Sequence, residues 1–199
     1  MKIIAATQNK HKISEIDAIT SKLGMTIISR KDAGVPDFEI KEDGTTFEEN
    51  SYIKAKAILD YTGEATIADD SGLEVDFLDG APGVYSARFA GVEGDGADKA
   101  NNTKLLEKMK GVPENKRSAR FVSVITLLYP DGDKIVARGV CQGRVATELM
   151  GDNGFGYDPL FIPEGYDQSY AQIGAEEKNR ISHRAKALDM LRELLDEIQ

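Results

Sequence analysis

Two adjacent carboxylates, Asp69 and Asp70, follow the apolar stretch Ala65 to Ala68 and open the run Asp69-Asp70-Ser71-Gly72. A carboxylate at a strand end points toward the crevice where open α/β sheets bind their ligands. There it can hold a hard cation through oxygen or take a proton from water. Successive side chains of an extended backbone point to opposite sides, so at most one of the pair needs to face a ligand. The same four residue types also form ordinary turns, and local composition weighs the two readings about evenly.

Three further segments carry groups suited to an anion or an aromatic base. Thr7-Gln8-Asn9-Lys10-His11-Lys12 joins an apolar strand to a helical pattern. A helix start offers unpaired N–H donors and the positive end of the macrodipole, which suits phosphate. The loop lacks the glycines and the Gly-Lys-Ser/Thr ending of a P-loop, and on local sequence an ordinary capped loop with solvated lysines is the favoured reading. Phe155-Gly156-Tyr157-Asp158-Pro159 follows the glycine-bearing loop 151–154. Glycine permits close backbone approach, and an aromatic ring there can either stack on a base or pack in the core. Lys178 and Ser182-His183-Arg184 precede and begin the last helix. Cations at a helix start oppose the macrodipole, a cost that a bound anion would remove, while a solvent-facing pair at a helix start is the common alternative.

Other chemistries find no support. His11 and His183 are the only histidines, and no His/Cys/Glu spacing suggests zinc. Cys141 lies in a strand pattern and reads as a small buried hydrophobe. No Gly-x-Ser-x-Gly elbow is present.

The elements that must position these groups follow from periodicity. Lys2 to Ala6 reads as a strand, and Ile13, Ile16, Ile19 and Leu23 give one apolar helix face ended by Gly24. Thr26 to Ser29 is a second strand. Thr46 and Glu49 form a capping box for a helix from Phe47 to about Tyr61, with Tyr52, Ala55, Ile58 and Leu59 on one side. Ala65 to Ala68 is a strand ending at the acidic pair, and Lys99 to Lys110 is a helix. Arg117 to Tyr129, the turn 130–133 and Lys134 to Cys141 make an antiparallel hairpin. A final helix capped by Ser182 carries Ala185, Leu188, Leu191, Leu195 and Ile198. Alternating helices and strands around a hairpin predict an α/β fold with a mixed sheet and flanking helices.

The chain has 199 residues, 41% of them hydrophobic and 30% charged, enough for one large domain or two joined lobes. Its formal net charge of -9 disfavours nucleic acid polymers and anionic membranes as partners. One cysteine permits no intrachain disulfide, which suits a reducing cytoplasm. No signal pattern and no apolar stretch of membrane-spanning length is present.

Taken in order, these motifs resemble those of the inosine triphosphate pyrophosphatases, the Ham-type family. The resemblance runs from end to end. It rests on 6–12, Glu42-Asp43-Gly44-Thr45-Thr46-Phe47, Glu49-Asn50-Ser51, 68–73, 82–89, 154–159, Glu177-Lys178 and Ser182-His183-Arg184-Ala185-Lys186-Ala187-Leu188. It implies one elongated, two-lobed domain spanning 1–199 with a long mixed twisted sheet and the active site in the cleft between lobes. It implies a magnesium-dependent, cytoplasmic homodimer that hydrolyses ITP, dITP and XTP to the monophosphate and pyrophosphate, keeping deaminated purines out of DNA and RNA.

Carried over by position, Asp70 matches the proton acceptor and a magnesium ligand. Glu42 matches the second metal carboxylate, and Asp69 is a further carboxylate of the set. Thr7, Asn9, Lys12, Lys54 and Lys178 match phosphate contacts, and Gln8, Lys10, His11 and Ser71 fall within the substrate-binding segments. Phe155 is the stacking candidate, with Gly156, Tyr157, Asp158, His183 and Arg184 at the base. Inosine and xanthosine present a C6 carbonyl where adenine presents an amino group, so a donor-lined pocket discriminates between them. Guanine shares that carbonyl, so rejection of GTP needs a group that disfavours its 2-amino substituent. Two rival readings are a Maf-type pyrophosphatase and a nucleotide sensor without turnover. The first expects a Ser-x-Arg-Arg-type run where Thr7-Gln8-Asn9-Lys10 stands, and the second has no need of a water-activating carboxylate.

Overall fold

The computed structural model describes residues 2–198; the side chains of Ile19, Leu23 and Ile198, expected on apolar stripes, lie outside the described residues. The chain divides into two compact units. The first takes residues 1–70, 123–139 and 183–199, and the second takes 71–122 and 140–182.

The expected mixed sheet with flanking helices is observed. Six strands, β1 (Lys2–Ala5), β2 (Thr26–Ser29), β3 (Thr66–Val75), β4 (Ser118–Leu128), β5 (Lys134–Val145) and β6 (Phe161–Pro163), run in the order β2-β1-β3-β4-β5-β6. β1 pairs in parallel with β2, from Lys2↔Thr26 to Ala5↔Ser29, and with β3 through Ile4↔Thr66 and Ala5↔Ile67. β5 and β6 are antiparallel. The helices are α1 (Lys10–Thr20), α2 (Phe47–Thr62), α3 (Ala97–Lys108), α4 (Ala175–Ile181) and α5 (His183–Ile198).

In the first unit the pleat sends alternate residues of β1 to two separate cores. Ile3 and Ala5 join Ile16 of α1 and Ala187, Leu188 and Leu191 of α5. Ile4 and Ala6 join Ala55 and Ile58 of α2. β3 follows the same parity, with Ile67 in the first core and Ala68 in the second. Strands covered on both faces are apolar throughout, which is why Lys2 to Ala6 reads as a run rather than an alternation. At Gly139 of β5 an added Cβ would land on the His183 carbonyl and the Ala187 nitrogen, so α5 lies directly on the strand backbone there. The second unit has its own core, which includes Leu73, Val75, Leu105, Phe121, Cys141, Phe161 and Tyr170.

Several boundaries differ from the sequence reading. β3 does not stop at the acidic pair but runs on to Val75, because Leu73 and Val75 are fully buried in the second unit. The pair therefore lies inside a strand, not at its end and not in a turn. β5 runs four residues past Cys141, and α3 begins at Ala97 rather than Lys99. The buried side of α2 is Phe47, Asn50, Ser51, Lys54, Ala55 and Ile58, half of it polar, while Tyr52 lies on the exposed side. α4 was not anticipated: Ala-Glu-Glu-Lys-Asn-Arg-Ile has too few apolar residues to show a period. Ser182 closes α4 by donating its backbone N–H to Lys178 O.

Candidate active site

The parity of β3 gives the two adjacent carboxylates different surroundings. Asp69 shares the face of Ile67, toward α1 and α5. Asp70 shares the face of Ala68, toward α2. One-residue spacing on a strand thus puts them on opposite sides of the sheet.

Asp69 is 1% exposed. It accepts from Ser123 Oγ at 2.5 Å, from Lys12 Nζ at 2.8 Å and from Arg184 Nη2 at 3.2 Å. Burial alone would raise its pKa, but Arg184, Lys12 and the Ser123 hydroxyl together hold it well below the usual carboxylate range. Arg184 is itself buried, and its Nη1 pairs with Glu15 of α1. Burial works against its charge, yet Asp69 and Glu15 outweigh that and raise its pKa. Asp69 is thereby a fixed anion that joins α1, β4 and α5.

Asp70 has the opposite tendency. Its Oδ1 accepts from Lys54 Nζ at 2.7 Å, while its Oδ2 is buried with no hydrogen-bond partner. Burial raises its pKa, and Lys54 and Lys12 offset this only in part. Lys54 also reaches Glu42 Oε2 at 3.1 Å. Burial would lower the Lys54 pKa, but Asp70 and Glu42 reverse the direction, so the ammonium stays charged. Paired carboxylates whose environments push their pKa values apart divide acid–base work between them. Here Asp70 is the one suited to exchange a proton.

The position of Lys54 is set by local chemistry along α2. The expected capping box is formed: Thr46 Oγ1 accepts from Glu49 N at 3.1 Å and the Glu49 carboxylate accepts from the Thr46 N–H. Asn50 Oδ1 accepts from Gly44 N at 2.9 Å, which docks the loop carrying Glu42 onto the helix start. A Cβ at Gly44 would stand 2.6 Å from Asn50 Oδ1, so only glycine fits this approach. Ser51 and Thr126 hydroxyls, 2.7 Å apart, pin the same helix face to β4. Lys54 follows one turn later on that face.

In the N-terminal loop, Asn9 Oδ1 accepts from His11 N at 3.0 Å and Lys12 N at 3.2 Å, and Thr7 Oγ1 accepts from Asn9 N. Asn9 therefore caps α1 and turns Lys12 inward to Asp69. Gln8 Nε2 donates to Asp37 Oδ1 at 2.8 Å, and Lys10 and His11 are exposed. His183, first residue of α5, is buried. Ser71 is half-buried on β3 as that strand enters the second unit.

Within the second unit, Asp158 Oδ2 accepts from Phe155 N at 3.0 Å and from Lys178 Nζ at 2.8 Å. A Cβ at Gly154 would land on the same oxygen. The Lys178 ammonium lies 4.7 Å from the centroid of the Phe155 ring. Lys178 precedes the start of α5, as its spacing suggested. It lies in the last turn of α4, where a cation complements the macrodipole. The N–H groups of Phe155 and Gly156 are taken by Asp158 and by Asp98 Oδ2. Both backbone donors are thus engaged within the second unit. Tyr157 is buried, and its hydroxyl donates to Ser86 O at 2.7 Å.

Sequence reasoning missed Glu15 and Ser123. Glu15 lies three residues after Lys12 on one helix face, a spacing that brings both to the same side. Ser123 carries no local signal, since its partner Asp69 is 54 residues away.

The oxygen set around Lys54 suits a hard cation of low protein denticity. Asp70 Oδ2 is a buried acceptor without a donor, and Glu42 approaches from a separate segment. Among the described residues no group of three or more His, Cys, Asp or Glu could hold a metal.

Comparison with known proteins places the chain. A family model described as the Ham1 family matches residues 3–194, and the chain belongs to that family. A Desulforamulus reducens protein named dITP/XTP pyrophosphatase is 48% identical over 199 residues, covering 100% of this chain and 97% of its own. A Clostridium perfringens protein of the same name is 47% identical over 200 residues, covering 98% and 97%. The Staphylococcus aureus Ham1 protein has a TM-score of 0.86 at 39% identity and covers 100% of both chains. A Coxiella burnetii HAM1 protein has a TM-score of 0.87 at 38% identity and covers 99% of both. No helix among the described residues is long and apolar enough to cross a membrane.

Proposed function

We propose that this chain hydrolyses dITP, ITP and XTP to the monophosphate and pyrophosphate, in a magnesium-dependent reaction with Asp70 as proton acceptor. The observation that carries the assignment of Asp70 is its asymmetric carboxylate: Oδ1 is held by Lys54, and the buried Oδ2 has no partner. The names of the full-length relatives support the substrate class.

In this reading water attacks the α-phosphorus. A bond forms from the water oxygen to phosphorus, the bond from phosphorus to the bridging oxygen breaks, and pyrophosphate leaves. Asp70 Oδ2 accepts the proton lost by the water. Lys12 and Lys54 bind phosphate oxygens together with Thr7 and Asn9, and Asp69 holds Lys12 in place. Asp70 and Glu42 would hold magnesium, which when bound offsets charge growing on the phosphate oxygens. Phe155 stacks on the base. By the same reading the protein acts in the cytoplasm as a homodimer, which sedimentation of the purified chain tests directly.

The deciding assay is pyrophosphate release from dITP, XTP, dGTP, dATP and dUTP, with magnesium and with a chelator. Turnover of dITP well above dGTP, lost with the chelator and restored by magnesium, is expected. Asp70→Asn should lower the rate by about 10²–10⁴-fold while nucleotide still binds. Faster turnover of dUTP than of dITP would favour the Maf-type reading, and binding without turnover by the unaltered protein would favour a sensor.

A further inference from the structure

We infer that Asp98 and Asn102, one turn apart on α3, are positioning residues for purine selection, acting through Gly156. Asp98 Oδ2 accepts from Gly156 N at 2.7 Å. Asn102 Nδ2 donates to Gly156 O at 2.8 Å and to Asp98 O at 2.9 Å. Both backbone polar groups of one residue are thus gripped by the side chains of a single helix face. A spacing of four residues on a helix sets two side chains side by side, which this grip requires.

Two features mark the arrangement as more than packing. Asn102 is 6% exposed, and its Oδ1 is buried with no hydrogen-bond partner. An unsatisfied buried acceptor costs stability that an apolar residue of similar size would avoid. What Asn102 supplies in exchange is its donor to Gly156. In addition, Gly156 has φ of +60°, yet nothing stands within 4 Å of where its Cβ would be. The glycine is needed for its backbone conformation and not for space. Asp98 and Asn102 therefore hold a left-handed residue in a fixed orientation between two aromatic residues. On one side is Phe155, half-buried, with the Lys178 ammonium near its ring. On the other is Tyr157, tied to Ser86.

The consequence for selection rests on the reading that Phe155 stacks on the base. A ring whose flanking peptide is anchored on both polar groups presents one plane to a purine. With the anchors removed, the plane becomes adjustable, and substrates differing only in base substituents are told apart less well. Phosphate chemistry at Asp70 needs no part of this anchor.

The test measures kcat and KM for dITP, dGTP and dATP on Asp98→Ala, Asn102→Ala, Asp98→Asn and Phe155→Ala. Loss of one such hydrogen bond corresponds to about five- to tenfold. Each alanine variant on α3 should lose that much in kcat/KM for dITP, chiefly through KM, and the dITP-to-dGTP ratio should shrink by a similar factor. Asp98→Asn keeps an acceptor oxygen and should stay within about twofold of the unaltered protein. Amide hydrogen exchange over 154–158 should speed up in Asp98→Ala and not in Asp98→Asn. A purely structural role would depress all three substrates alike and leave the ratio unmoved. An unmoved ratio in both α3 variants, with a shrunken one in Phe155→Ala, overturns the proposal and leaves the stacking reading intact. An unmoved ratio in Phe155→Ala overturns the stacking reading, and the proposal falls with it.

Discussion

Replacing Asp69 by asparagine conserves volume and removes one negative charge from a site where Lys12 and Arg184 converge on a single carboxylate. No cavity forms, so the effect isolates electrostatics. The amide can still accept at one oxygen, but its NH2 group then faces a cation, and both cations lose their counter-charge on that side. Arg184 retains Glu15; Lys12, on the more exposed edge, can turn to solvent. Breaking a buried pair by removing one partner costs about 3–5 kcal/mol. For a chain of this length that corresponds to a fall of about 6–20 °C in the thermal midpoint.

The pH dependence of that difference is a second, independent readout. The Asp69 pKa is lowered in the folded state relative to an unfolded value of about 3.9. Its stabilisation is therefore complete above the unfolded pKa and is lost as pH falls through the folded one. The gap between the unaltered protein and Asp69→Asn should be widest near neutrality and narrow below about pH 4. Thermal melts from pH 3 to pH 8 measure both. A midpoint for the variant within about 2 °C of the unaltered protein at pH 7 would refute the account of Asp69 as the electrostatic tie between α1 and α5.

Two further outcomes follow from particular contacts. Gly139→Ala forces a methyl group into the backbone of α5 at His183 and Ala187, and should destabilise the first unit by ~3 kcal/mol or more, read as a lower denaturant midpoint. The Glu177 pKa is lowered to about 2, first by its bond from Arg180 and then by that from the Tyr166 hydroxyl. NMR titration of its carboxyl carbon should therefore show a midpoint near 2 that rises toward the ordinary carboxylate value in Arg180→Ala.

The parts legible in the sequence were those fixed by neighbours in the chain. The Thr46 and Glu49 capping box, the Pro130 to Asp133 turn and the α5 stripe each depend on residues within a few positions of one another. The acidic pair was found as a chemical feature but misplaced as a strand end, because Ser71 and Gly72 have turn-like character in isolation. What keeps them in β3 is the burial of Leu73 and Val75, which local composition does not report. α2 was recognised while its buried side was misjudged. Asn50, Ser51 and Lys54 face inward because Gly44, Thr126 and Asp70 meet them there. The partners of Asp69 come from positions 12, 123 and 184, and no period or spacing connects such distant residues. The same holds for Asp98 and Asn102, whose target lies more than 50 residues further along the chain.

Cys141 lies in the core of the second unit at 4% exposure, and it is the chain's single cysteine. A bulky thiol reagent can reach it only when that core opens. Its labelling rate therefore counts excursions of one unit without any engineered probe, and without contribution from the first unit, which contains no thiol. Followed with and without nucleotide, that rate gives a clock for how far substrate quiets the second unit.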